Sequence, residues 1–187
     1  MALTTLDPNI ALIIVDLQKG IVALPCVHPI AEVIKQARAL ARAFRERNLP
    51  VVLVNVTGTA PGRTEQGRTN IPRQEGWSDL IPELEQQPND IVVTKRTWGA
   101  FASTDLEAQL KARGVTQVVI AGVATGTGVE STARQAYELG LNVTLALDAM
   151  TDLRAEAHAY SVKNVFPRLG ETGTAEAIID LLPAGSP

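Results

Sequence analysis

Short apolar runs alternate with longer amphipathic stretches along most of the chain. Each run holds four to six residues, most of them β-branched or otherwise aliphatic. The runs are Ile10–Val15, Val51–Val56, Ile91–Thr94, Gln117–Gly122 and Val143–Leu147. Continuous apolar runs of this length are typical of strands that are buried on both faces of a parallel sheet. The pattern therefore predicts a parallel sheet with covered faces.

The stretches between these runs carry apolar residues at helical spacing. They predict helices over Ile30–Arg47, Thr104–Arg113, Thr127–Leu139, Leu153–Val165 and Thr174–Leu182. Strands and helices in alternation, joined by right-handed crossovers, give a doubly wound α/β fold. We expect a single domain over residues 1–187, built as three layers, α/β/α, around a mostly parallel sheet of five to six strands.

Composition excludes several classes of protein. The chain has 187 residues and a net charge of −3, and its Lys and Arg residues are scattered. Nucleic-acid binding needs a concentrated basic face, so we expect no nucleic-acid partner. No apolar run approaches the roughly 20 residues of a membrane helix, and no basic leader precedes one. A single cysteine, Cys26, excludes an internal disulfide and fits a cytoplasmic setting.

One long stretch, Thr57–Pro88, is rich in glycine and proline and shows no periodicity. A loop of this length in a compact domain is usually functional or mobile. Because it follows the second predicted strand, we expect it to overhang the carboxyl edge of the sheet, where open α/β sheets bind ligands.

Charged side chains follow two of the predicted strands. Asp16 comes directly after the first run, and Lys95 follows the third. The carboxyl ends of parallel strands lie on one edge, where a buried carboxylate and a buried ammonium compensate each other and tune each other's proton affinity. The alternative is a helix N-cap for Asp16 and a surface lysine for Lys95, and spacing alone does not decide between the two.

A glycine-rich turn follows the fourth run. Gly126 and Gly128 stand beside Thr125 and Thr127 where a helix begins. Helix N-termini offer free N–H groups and a positive dipole end to anions, and glycine allows close approach. The alternative is close packing of the helix on the sheet. The dinucleotide and P-loop glycine patterns are absent, so we expect no cofactor.

The remaining metal-binding or nucleophilic residue types are sparse. His28 and His158 are far apart in sequence and form no zinc-binding motif, so we expect no metal site. We expect His28, just before Pro29, to be a polar cap at the start of a helix, and His158 to have a surface or core role. Cys26 has no histidine near it in sequence apart from His28 in the same loop, and we expect it to be passive.

Four segments together resemble the isochorismatase-like hydrolases, a superfamily that includes nicotinamidases and N-carbamoylsarcosine amidohydrolases. They are ALIIVDLQKG with Asp16, VTKRTWGAF with Lys95, VVIAGVATGTGVESTARQAYELGLNVTLALDAMTD, and VFPRLGETGT. The resemblance implies that Asp16 and Lys95 are catalytic. It also implies a cis peptide between Val123 and Ala124.

The chain departs from the common pattern at one position. Amidase members carry a nucleophilic cysteine at the place of Gly128, and a thiolate there forms a covalent acyl-enzyme. Glycine cannot act as a nucleophile. Those members also use a histidine-bearing metal site in the loop after the second strand, and here that loop begins NVTGTAPGRTEQGR, without histidine.

Members that cleave isochorismate, a vinyl ether, also have glycine at this place. The resemblance implies a small-molecule substrate for which Asp16 is the general acid and Lys95 a binder of the substrate carboxylate. The Gly128 position belongs to the same site. The expected substrate-binding residues are Gln18, Trp98, Phe101, Val123, Ala124, Thr125, Gly126 and Thr127, with Trp77 as a further wall. Core packing is the alternative for the aromatic residues.

Two other functions stay open at this stage. One is an amidase with a displaced nucleophile, for which Cys26, Thr125 and Thr127 are the candidates. The other is a catalytically silent protein that binds a small molecule. The resemblance also implies a homodimer or a larger homo-oligomer.

Overall fold

The computed structural model describes residues 3–65 and 74–183. Six parallel strands form one sheet in the order β3-β2-β1-β4-β5-β6. The strands are β1 (Ile10–Val15), β2 (Val51–Val56), β3 (Ile91–Lys95), β4 (Gln117–Val123), β5 (Asn142–Thr151) and β6 (Glu171–Gly173). The predicted α/β/α architecture with a parallel sheet is confirmed. Strand β6 was not predicted, because no apolar run marks it in the sequence.

The described helices lie near their predicted places, except for the short helix α1, which was not predicted. They are α1 (Lys19–Val22), α2 (Ile30–Glu46), α3 (Leu106–Ala112), α4 (Glu130–Glu138), α5 (Ala155–Tyr160) and α6 (Ala175–Leu181). Two predicted helices each contain a π-helical turn, Thr125–Val129 before α4 and Ser161–Val165 after α5. Single π turns of this kind are frequent at functional sites. Thr174 caps α6 by accepting the N–H of Ala177.

The two faces of the sheet carry separate apolar cores. Along β1, Ala11, Ile13 and Val15 face the core covered by α3 and α4, whereas Ile10, Leu12 and Ile14 face the core covered by α2 and α6. Every one of these side chains is buried. Because burial of one such aliphatic side chain contributes about 1.5–3 kcal/mol, both layers hold β1 firmly. The residue that follows β1 is therefore fixed in space.

The order of the strands reverses direction between β1 and β4. The chain runs outward from β1 to β3 on one side and from β4 to β6 on the other. At such a switch point the connections leave in opposite directions and open a crevice outside the carboxyl ends of the strands. Asp16 follows β1 and the glycine-rich turn follows β4, so both lie at this crevice.

Strand β5 is longer than the sequence predicts. Its pairing with β4 is irregular between Ile120 and Gly122, after which β5 continues to Thr151. The predicted end at Leu147 is wrong because Asp148 interrupts the apolar run without ending the strand. The Asp148 carboxylate instead accepts the N–H of Ala175 at 2.7 Å, at the start of α6. The true end of β5 brings Asp152 to the same edge as Asp16.

The described parts of the long loop are residues 57–65 and 74–88, and its Gly67 and Pro72 lie outside the described residues. Leu80 pairs with Gln18 in an antiparallel bridge, and a 3₁₀ turn follows at Pro82–Leu84. The loop therefore runs alongside the residues that follow β1, as expected. Within the two described ranges, no helix is both long and apolar enough to cross a membrane.

Candidate active site

Asp16 has an unusual backbone for its position. Its N–H still donates to Val54 at 2.9 Å, as in a continuing ladder, but its φ is 52°. An extended residue 16 would direct its side chain to the face of Ile14, because side chains alternate along a strand. The left-handed conformation, which aspartate tolerates better than most residues, changes that direction. The carboxylate therefore reaches Lys95. On the same face of β3 as Lys95, Ile91 and Val93 belong to the core covered by α3 and α4, opposite to the core of Ile14.

Lys95 ends β3 with its ammonium group inside the protein. Only 1% of the residue is exposed. Its Nζ donates to Asp16 Oδ2 at 2.7 Å and to the carbonyl oxygen of Thr97 at 3.2 Å. An ammonium has three donors, so these two bonds leave one for a ligand. The alternatives of a helix N-cap for Asp16 and a surface lysine do not describe this buried pair.

The Asp16 carboxylate is only partly satisfied. Oδ2 accepts from Lys95, whereas Oδ1 is buried and has no hydrogen-bond partner among the described residues. Burial raises the pKa of Asp16 to about 6, and the opposing attraction of Lys95 is smaller. Perturbed carboxylates with unused acceptors concentrate at functional sites. A group of this kind is able to hold or release a proton near neutral pH.

Gly128 faces the carboxylate from the other side of the crevice. A Cβ atom at this position would lie 3.3 Å from Asp16 Oδ2 and 3.0 Å from Val15 Cγ1. The position is therefore adjacent to the acid, but it offers no side-chain atom for nucleophilic attack. Gly122 serves the backbone instead: its φ is 115°, and a Cβ there would stand 2.0 Å from the Val15 carbonyl oxygen.

The turn between these glycines is held by Asp152. The Asp152 carboxylate accepts the N–H of Gly126 at 2.7 Å and the N–H of Arg154 at 3.0 Å. This differs from the expectation that Gly126 offers its N–H to a substrate anion, because a buried protein carboxylate already occupies it. The peptide bond between Val123 and Ala124 is cis. The N–H of Thr127 is bonded to the carbonyl oxygen of Ala124 at 3.1 Å.

Side chains of α4 fix the Lys95 segment against the Gly128 turn. Thr132 donates to the carbonyl oxygen of Gly128 at 2.7 Å and accepts the N–H of Ala100 at 3.2 Å. Gln135 accepts the N–H of Phe101 at 3.0 Å. The sequence analysis missed both residues, and also Asp152, because their roles depend on contacts between distant segments. A strand prediction that reached Thr151 would have found Asp152.

Gln18 is fully buried, and its amide is used by the protein. Oε1 accepts the N–H of Val56 at 2.7 Å, and Nε2 donates to the carbonyl oxygens of Val56 at 3.1 Å and Trp77 at 3.3 Å. These bonds join the end of β2 and the loop to the segment after Asp16. The structure thus places Gln18 as a support of the site.

The three aromatic residues occupy three different environments. Phe101 lies in the core covered by α3 and α4, which corrects the expectation of a pocket wall in favour of core packing. Trp98 is 64% exposed. Trp77 is half-buried and packs on Gly20, where a Cβ would collide with the indole ring at 2.0 Å.

The structure brings together the two histidines that the sequence left apart. The rings of His28 and His158 meet edge to face, with centroids 4.5 Å apart. Cys26 stands in the same loop as His28, and burial and Asp152 together raise the pKa of its thiol, which opposes a nucleophilic thiolate. Across the described ranges, no group of three or more His, Cys, Asp or Glu residues is arranged to hold a metal ion.

Comparison with known proteins agrees with this geometry. The isochorismatase domain matches residues 10–177. The uncharacterized isochorismatase family protein YwoC of Bacillus subtilis is 38% identical over 177 residues, 91% of this chain and 92% of that protein. The solved structure of an isochorismatase family protein from Burkholderia thailandensis is 40% identical, with a TM-score of 0.91, and the match covers 95% of this chain and 97% of that one.

A more distant relative has a stated activity. The streptothricin hydrolase of Streptomyces noursei is 37% identical over 140 residues, which are 74% of this chain but 48% of that protein. The domain match over 10–177 and the relatives that align over nearly their full length are decisive. The chain belongs to the isochorismatase family of hydrolases.

Proposed function

We propose that the chain hydrolyses the vinyl ether of a small carboxylate, an isochorismate-like substrate, without a covalent enzyme intermediate. The observation that carries this proposal is the place of Gly128. Gly128 faces the acid, because a Cβ added there would lie 3.3 Å from Asp16 Oδ2. Glycine carries no side-chain atom that could act as a nucleophile. The reaction must then proceed by proton transfer and direct attack of water.

Asp16 supplies the proton. With a pKa of about 6, a large fraction of the carboxyl is protonated in mildly acidic solution. Oδ2 is held by Lys95, so the proton resides on the unpartnered Oδ1. Transfer of this proton to the terminal vinyl carbon leaves an oxocarbenium ion. Proton transfer by a positioned group of this kind typically contributes 10²–10⁴-fold to the rate.

Water completes the reaction and restores the acid. It adds to the oxocarbenium carbon, and the resulting hemiketal breaks its bond to the alcohol oxygen, which takes the proton of the hemiketal hydroxyl, so that an alcohol and a keto acid are released. The proton lost by the water returns to Asp16. Lys95 has two roles in this scheme: it stabilises the aspartate once the proton has left, and its third donor binds the carboxylate of the substrate.

Amide hydrolysis is the second candidate, because another relative, 37% identical over 106 residues, is the ureidoacrylate amidohydrolase RutB of Variovorax paradoxus. It requires a displaced nucleophile. The Cys26 thiol has a raised pKa, and Thr125 is fully buried with its hydroxyl bonded to His158. The raised pKa of the thiol and the full burial of the hydroxyl both oppose attack on an amide, so the vinyl ether is the better-supported substrate class.

The test is a panel of small enol-pyruvyl ethers, including isochorismate, and of amides, with pyruvate and ammonia as the readouts. We expect pyruvate release, a loss of at least about 100-fold in D16N, and unchanged rates in C26S and in the exposed control D180N. Ammonia release that is lost in C26S would overturn the proposal. Ligand-dependent thermal stabilisation without any turnover would also contradict it and would indicate a silent binding protein.

We also propose that the chain assembles into a homodimer or a larger homo-oligomer. Large apolar side chains remain exposed on the described surface, with Trp98 and Tyr160 the most accessible of them. Aromatic side chains such as these are enriched at interfaces between proteins. Sedimentation equilibrium at micromolar concentration is expected to give a mass above 19.9 kDa, and a strictly monomeric chain would contradict this.

A further inference from the structure

The pair formed by His28 and His158 has no part in the proposed reaction. Each ring is nonetheless bonded to a fully buried threonine. His28 Nδ1 lies 3.0 Å from the hydroxyl of Thr151, and His158 Nδ1 lies 2.9 Å from the hydroxyl of Thr125. Both hydroxyls are at the carboxyl edge of the sheet, one at the end of β5 and one just after β4. The pair therefore joins two strand ends that border the crevice.

The directions of these bonds follow from counting protons. The Thr151 hydroxyl accepts the backbone N–H of His28 at 3.2 Å, so its own proton is free to be donated to His28 Nδ1. The Thr125 hydroxyl is fully buried and donates in the same way to a neutral His158. In this arrangement the Nδ1 atom of each ring accepts its hydrogen bond from a threonine.

Protonation of His158 reverses its bond. A charged imidazole carries protons on both nitrogens, so Nδ1 becomes a donor and the Thr125 hydroxyl must accept. The buried proton of Thr125 then needs another acceptor, which costs free energy. Burial and the neighbouring His28 lower the pKa of His158, and Asp152 opposes them. The ring centroids are 4.5 Å apart, so a charge on His28 disfavours a proton on His158.

The other ionisable groups around His158 are few. Asp152 lies at the end of β5 and Cys26 in the loop that carries His28. On α4, Glu130 accepts a hydrogen bond from the hydroxyl of Ser161 at 2.6 Å, and Ser161 directly follows α5, the helix that carries His158. Arg154 precedes α5 and donates its N–H to Asp152. Since Asp152 is bonded to two backbone N–H groups, it stays in place when the rings change charge.

Thr125 begins the π-helical turn that places Gly128 opposite Asp16. The hydroxyl of Thr125 and the N–H of Gly126 are anchored to His158 and Asp152 respectively. We propose that His158 is a positioning residue whose neutral ring holds this turn, and that protonation of the His28–His158 pair loosens the turn and disturbs the site. The inference rests on the location of the proposed site, but its test needs no turnover.

The test is an NMR titration between pH 8 and 5. The chain has only two histidines, so the ring signals of the wild type are assigned with H28Q alone. We expect His158 to titrate below its ordinary pKa and to titrate higher in H28Q, because the repelling ring is gone. We also expect the amide signals of Gly126 and Gly128 to move with the midpoint of His158.

T125V separates positioning from mere packing, because valine keeps the volume and removes the hydroxyl. In T125V we expect the Nδ1 and Nε2 chemical shifts of His158 to change. We also expect the amide signals of Gly126 and Gly128 to stop following the His158 titration. The control E156Q, an exposed change on α5, should behave as the wild type. Independent titration of the two rings, or glycine amides that ignore the His158 midpoint in the wild type, would overturn the inference. The wild-type titration decides this even where T125V does not fold.

Discussion

Two ion pairs at opposite edges of the sheet show what separates a structural contact from a reactive one. At the amino edge, just before β3, Asp90 pairs with Arg45 of α2. Both of its carboxylate oxygens are used: Oδ1 accepts from Arg45 Nε at 3.1 Å, and Oδ2 accepts from Arg45 Nη2 at 2.7 Å and from the N–H of Gln87 at 2.8 Å. Neither oxygen of this buried carboxylate is left without a hydrogen-bond partner.

At the carboxyl edge, Asp16 pairs with Lys95 at the same distance of 2.7 Å, and both side chains are largely buried. Here one carboxylate oxygen of Asp16 has no partner in the part of the chain that the structure describes, the backbone is left-handed, and the pKa is raised to about 6. Buried pairs are weak evidence of stability in themselves, and an incompletely satisfied pair is costly. The comparison teaches that unused hydrogen-bonding capacity, rather than ion pairing, marks the site.

The size of a cavity does not make this distinction. A cavity of about 1010 Å³ opens at the amino edge and is lined by residues that include Arg45 and Asp90. Its charged pair is already satisfied, and no buried, unpartnered carboxylate lines it. The chemistry favours the switch-point crevice at the opposite edge, where Asp16 lies.

The largest expected difference between the two pairs is in stability. D90N removes the charge partner of Arg45 and should lower the free energy of unfolding by about 3–5 kcal/mol, as expected when a buried pair loses one member. D16N removes a charge whose own burial is costly, so it should lower that free energy by less than half as much. Urea unfolding at pH 7.5 measures both. Equal losses in the two variants would remove the contrast.

The dependence of stability on pH should follow from Asp16. Its pKa is higher in the folded protein, about 6, than the unperturbed value of 3.8, so the folded state binds more protons between those values. Protonated Asp16 therefore stabilises the folded state below pH 4, and this stabilisation is lost as the pH rises through 6. The free energy of unfolding changes by at most about 3 kcal/mol. Unfolding of the wild type and D16N across pH 4–8 measures this difference. A wild type that gains stability relative to D16N over this range would contradict the sign.

The smallest effect concerns the glycine that faces the acid. G128A introduces a Cβ 3.0–3.3 Å from Val15 Cγ1, Asp16 Oδ2 and the Val123 carbonyl oxygen, and should cost about 1–2 kcal/mol. Gly62 is a matched control, because a Cβ there meets no atom of the described residues within 4 Å. Thermal unfolding of G128A and G62A compares them. If G128A is as stable as G62A, the Gly128 turn is not packed against Asp16 as described.

The sequence predicts the sheet well because the apolar runs are long and β-branched, and it predicts Asp16 and Lys95 at one edge because parallel strands end together. It does not predict that they touch, since this depends on the φ of Asp16. Nor does it predict the contact of His28 with His158, which needs the full length of β5 and the placement of α5. Phe101 shows the same limit: a motif assigns it to the site, whereas packing assigns it to the core.

The central claim is that burial outweighs Lys95 at Asp16, so that this carboxyl exchanges a proton near neutral pH. A ¹³C NMR titration of the side-chain carboxyl groups, with the Asp16 signal identified by its loss in D16N, tests this directly. The account predicts a midpoint near 6 for Asp16. A midpoint at or below 3.8 would show that Lys95 dominates, that Asp16 is a permanent anion, and that it cannot act as the acid.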